Sequence, residues 1–69
     1  MKYFLVKLIV RMSESANDSV SYRIVEEIRL AKAKSSEEAE AKASEYIQQL
    51  STEKIKYNII SAKALETIE

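Results

Sequence analysis

Three patterns predict an α+β domain of β-β-α-β order. Two stretches of alternating apolar residues flank a polar turn, a Ser-capped stretch has helical spacing, and a third apolar alternation closes the chain. The expected sheet has three mainly antiparallel strands. A right-handed crossover from the second strand places the last strand parallel to it, beyond the first, giving strand order 2-1-3 with one helix on one face.

From Lys2 to Met12 the even positions Phe4, Val6, Leu8, Val10 and Met12 are apolar, whereas the odd positions Tyr3, Leu5, Lys7, Ile9 and Arg11 are mixed. Period two marks a strand. Lys2 and the apolar run after it superficially resemble a signal peptide, but Lys7 interrupts the run and no small-residue cleavage site follows. Ser13 to Ser19, SESANDS, reads as a hairpin loop in which Asn17 and Asp18 take the φ > 0 positions that Gly usually fills. The second strand is expected from Val20 to Lys34. It carries Val20, Tyr22, Ile24, Ile28 and Leu30 on one face and Arg23, Val25, Glu27 and Arg29 on the other.

Ser35 and Glu38 form an S-x-x-E capping box, and Glu37, Glu38 and Glu40 suit the positive end of a helix dipole. Ala39, Ala43, Tyr46, Ile47 and Leu50 share a face at helical spacing, and Glu38 and Lys42 form an i, i+4 pair. Ser51 and Thr52 end the helix. Glu53 to Ile68 reads as the third strand, with an apolar phase slip at Ile59 and Ile60 that suggests a bulge or a strand buried on both sides.

The stretch from Val25 to Ile47, VEEIRLAKAKSSEEAEAKASEYI, resembles the central signature of a family of small uncharacterised bacterial and phage domains. The matching features are the acids Glu26 and Glu27, the aliphatics Ile28 and Leu30, Lys32 and Ala33, the Ser35 to Ala39 cap, and Tyr57 near the start of the last strand. The chain departs from that pattern in a shorter loop before the last strand and in lacking the tryptophan often found there. The resemblance implies the β-β-α-β fold and supplies no activity or site.

Composition narrows function by exclusion. The 69 residues form one domain, 1–69, with no Gly, Pro, Cys, His or Trp. Phosphate-cradling Gly loops are absent, as are the usual zinc ligands, general base and thiolate nucleophile. Serines have no base to activate them, and no cofactor is expected. The expectation is therefore a non-enzymatic binding domain. With 11 acids against 11 bases there is no overall bias towards polyanions, so nucleic acid is not the expected partner. No apolar stretch approaches the roughly 20 residues needed to span a bilayer, and a cytoplasmic location is expected.

A domain this small gains only a few kcal/mol from one core, and neither disulfide nor metal is on hand to supplement it. Self-association into a dimer or higher homo-oligomer is the expected remedy. A helix of about 15 residues spans roughly 22 Å, whereas strands of 11 to 15 residues would reach roughly 36 to 50 Å. The helix is expected over Phe4, Val6, Ile28 and Leu30. Val10, Met12, Val20 and Tyr22 would then project beyond it as an interface, unless a curled sheet covers itself.

Pairing the first two strands with Met12 opposite Val20 sets Tyr3 opposite Arg29, Leu5 opposite Glu27, Ile9 opposite Arg23 and Arg11 opposite Ser21, with Lys7 on the same face. Tyr3, Lys7, Arg11, Arg23 and Arg29 would then form a candidate site for an anionic small molecule such as a nucleotide, at a basic sheet face or subunit interface. An ordinary solvated face with cross-strand pairs explains the same residues. Glu26 is expected among the apolar residues facing the helix, requiring a Lys partner, an edge position or a bulge. Glu26 and Glu27 point to opposite faces and cannot act as a carboxylate pair. The alternative function is a protein-interaction or inhibitor module that uses the projecting hairpin or a strand edge.

Overall fold

The computed structural model describes residues 1–68 and has the expected element order: β1 (Lys2–Ala16), β2 (Ser19–Ala33), α1 (Ser36–Gln49) and β3 (Ile55–Ile68). β1 is central and antiparallel to both neighbours, so the sheet order is β2-β1-β3 with α1 on one face. The molecule is elongated, 47 × 17 × 14 Å, because the strands of 14 or 15 residues outrun a 14-residue helix.

The hairpin corrects the expected register. Asn17 (φ 47°) and Asp18 (φ 66°) are both left-handed, which allows a two-residue turn whose twist matches that of the flanking strands. The expected seven-residue loop is therefore mostly strand, and pairing continues to Ala16 and Ser19. Val20 faces Ser15 rather than Met12, and Met12 faces Arg23. Moving from 12 to 15 is a shift of three, an odd number, which exchanges the two faces of β2 relative to β1. Tyr3 thus pairs with Lys32, Leu5 with Leu30, Ile9 with Glu26 and Arg11 with Ile24.

The even residues of β1 point at the helix, as the alternation predicts. Phe4, Val6, Leu8 and Val10 form the core with Ala31, Ala33, Ala39, Ala43 and Ile47, supported by Val25, Tyr57, Ile59, Ala62 and Ala64. Ala39 and Ala43 present no bulk, which lets α1 approach the sheet closely. Tyr46 and Leu50, expected on the buried stripe, lie at its margins and are about half exposed.

Both ends of α1 are tied down. The Ser35 hydroxyl accepts from the Glu38 N–H (3.2 Å), satisfying one of the free first-turn donors. Glu38 is also bonded by Lys42 at 3.1 Å, and this hydrogen bond holds the Glu38 carboxyl below its ordinary pKa. Beyond the helix, Ser51 Oγ accepts from the Tyr57 N–H (3.1 Å), and Thr52 Oγ1 accepts from Lys54 and Ile55.

β3 carries two register shifts. Val10 faces Ile59 while Ile9 faces Ser61, so Ile60 is the extra residue of a bulge where the phase slip predicted one. Leu65 is extra in the same way between Ala64 and Glu66. The β3 backbone is further engaged where Glu40 Oε2 accepts from the Ala64 N–H (2.8 Å).

Candidate interaction surface

The register exchange creates an uncovered apolar sheet face. Val20, Tyr22, Ile24, Ile28 and Leu30 of β2 share it with Tyr3, Leu5 and Ile9 of β1, opposite the helix. Tyr22 is 65% exposed, Ile24 59% and Leu30 57%, values that no second layer lowers. Ile60 and Leu65, displaced by the bulges of β3, are exposed as well. Ile24, Ile28 and Leu30 were expected on the helix side. The signal that moves them is the Asn17-Asp18 dipeptide, read as a two-residue turn instead of part of a longer loop.

The expected interface residues do not form one patch. Val10 is fully buried between Val25 and Ile59 on its neighbouring strands, and Met12 is half-buried on the same side. Val20 and Tyr22 are exposed on the opposite face. The hairpin does project beyond the helix, but its apolar residues are divided between two faces.

The expected basic site is divided in the same way. Tyr3, Lys7 and Arg11 lie on the open face, whereas Arg23 and Arg29 lie on the helix side. On the open face Lys7 pairs with Glu26 at 3.6 Å, Arg11 stacks on Tyr22 at 5.2 Å, and Lys32 covers Tyr3 at 5.6 Å. These are the cross-strand contacts of an ordinary sheet face. Glu26 is thus on the open face rather than under the helix, with both a Lys partner and an edge position. Its neighbour Glu27 is on the other side, 3.5 Å from Arg29.

Arg29 is the unusual cation. It stacks on Tyr46 of α1 at 5.2 Å, yet its Nε is buried and has no hydrogen-bond partner among the described residues. It lines a groove of about 420 Å³ between α1 and the outer edge of β2, with Ile28, Leu30, Ala31, Lys32, Lys42, Ala43 and Tyr46. At the end of this groove Lys42 Nζ donates to the Lys32 carbonyl (2.9 Å).

That contact identifies the outward-facing side of β2. In an antiparallel strand the N–H and C=O of alternate residues point away from the neighbour. The β1–β2 register has no shift, so Val20, Tyr22, Ile24, Glu26, Ile28, Leu30 and Lys32 present their backbone groups at the free edge.

Among the described residues no group of three or more His, Cys, Asp or Glu could hold a metal ion. No helix of the described residues is long and apolar enough to cross a membrane. No family model matches the chain, and neither a curated protein nor a solved structure does.

Proposed function

We propose that this chain is a non-catalytic, self-associating binding domain whose contact surface is the open sheet face and the adjoining edge of β2. The observation that carries this reading is the missing second layer. A sheet with apolar side chains on both faces is stable when both are covered, and here α1 covers only one. The uncovered face holds exposed aliphatic and aromatic side chains of β1 and β2, interspersed with the paired charges of Lys7 and Glu26, the composition of a contact surface. A second copy of the chain brings the same apolar face and the same open edge.

An anionic small molecule has weaker support, because the five residues expected to hold it are split between two faces and most already have partners. Sedimentation velocity over a dilution series tests self-association. A concentration-dependent shift to twice the 7.9 kDa chain mass or more supports it, and a constant monomer mass refutes it.

A further inference from the structure

We infer that two copies join through their β2 edges, antiparallel and in one register centred on Val25, to make a continuous six-stranded sheet. This deepens the self-association reading and rests on it. β2 is the sheet edge that invites pairing, being long, free of Pro and without a bulge, whereas β3 is twice bulged and bound by Glu40.

Parity limits the possible registers. Outward backbone groups belong to even-numbered residues, so two β2 strands bond in a symmetric antiparallel pair only when the two-fold axis passes through a residue. An axis at Arg23 or Glu27 sets that charge against its own copy. At Glu26, the axis opposes Glu26 to itself and Arg23 to Arg29. An axis at Ile24 has no like-charge clash, but it leaves Arg23 facing Val25 and Glu27 facing Ser21.

With the axis at Val25, no like charges oppose one another. Arg23 faces Glu27 of the second copy, and the reverse pair repeats across the axis. On the open face Tyr22 meets Ile28 and Val20 meets Leu30, while Ile24 meets Glu26, which keeps its Lys7 partner.

Two features of one chain are compatible with the Val25 register. Ser21 of the second copy comes opposite Arg29 on the helix side, a small side chain beside the groove that Arg29 lines. The Lys42 contact at the Lys32 carbonyl lies just past the last paired residue, so it blunts the edge without obstructing the pairing.

A cysteine scan with charge exchange tests the register. Paired residues at the axis sit about 4.5 Å apart at Cα, within disulfide range. Under mild oxidation Val25→Cys should give a covalent dimer on a non-reducing gel, and Ser21→Cys should not. Arg23→Glu and Glu27→Arg should each weaken the dimer at least tenfold, and the double exchange should restore it to within about threefold. Association with no Val25→Cys cross-link and no rescue by the double exchange overturns the edge register while leaving self-association standing. A chain that stays monomeric at all concentrations overturns both.

Discussion

Replacing Ile28 by Glu should separate the copies without unfolding the chain. Ile28 is 47% exposed on the open face of a strand that ends in the free edge. In the edge pair Tyr22 of the second copy lies beside Ile28, and a cross-strand aromatic–aliphatic contact of this kind contributes up to about 1 kcal/mol. A two-fold interface loses this twice, for a total of up to about 2 kcal/mol. At 1.4 kcal/mol per decade, the dissociation constant should rise by up to about 30-fold, before any cost of desolvating the new carboxylates. Within one chain the substituted position faces Lys7, so the folded monomer should change by no more than about 0.5 kcal/mol. Sedimentation at several dilutions measures the association, and thermal melting at a concentration where both proteins are monomeric measures the fold. An unchanged dissociation constant would refute the reasoning. So would a drop of more than about 10 °C in the monomer's Tm, because that would place Ile28 in a packed core.

The remaining predictions concern the fold that presents this surface. Leu8 is fully buried at the centre of β1, and Leu8→Ala should cost about 2–5 kcal/mol in urea unfolding; a loss below about 1 kcal/mol would contradict the core assignment. Asp18→Gly should stabilise the chain by up to about 1 kcal/mol, since φ 66° there costs glycine nothing sterically; a lowered Tm would contradict the left-handed turn. Ser35→Ala should cost about 1 kcal/mol by removing the acceptor for the Glu38 N–H, with Ser35→Gly costing only a few tenths; equal losses would argue against a capping role.

The order of elements and the order of strands were legible because the alternation is strong and the chain has few ways to connect such a set. The bulge at Ile60 was legible too, since one extra apolar residue interrupts the period. The faces of β2 were not. Its apolar residues alternate cleanly, and alternation alone does not say which parity meets the helix. That choice rests on the turn, where Asn17 and Asp18 together accept positive φ and shorten the loop to two residues. One misplaced register then moved Ile24, Ile28 and Leu30 from an expected core to an exposed face. It also moved Glu26 out from under the helix and separated Arg23 and Arg29 from Lys7 and Arg11.

After that correction the proposal of a partner rests on different grounds. The expected reason was an apolar hairpin tip reaching past the helix. The observed reason extends along the whole sheet, because the exchanged face of β2 leaves aliphatic side chains uncovered beside the helix-covered core as well as beyond it. Val10, expected to project, is buried instead, so the proposed association surface lies on the side opposite the one anticipated.

Amide hydrogen exchange along β2, followed by NMR at increasing protein concentration, tests edge-paired self-association most directly. Amides of Ser21, Arg23 and Val25 face β1 and should be protected at every concentration, providing an internal reference. Those of Tyr22, Ile24, Glu26 and Ile28 should exchange freely in dilute solution and become protected as concentration rises. Free exchange of these outward amides at concentrations where the chain is assembled would contradict edge pairing.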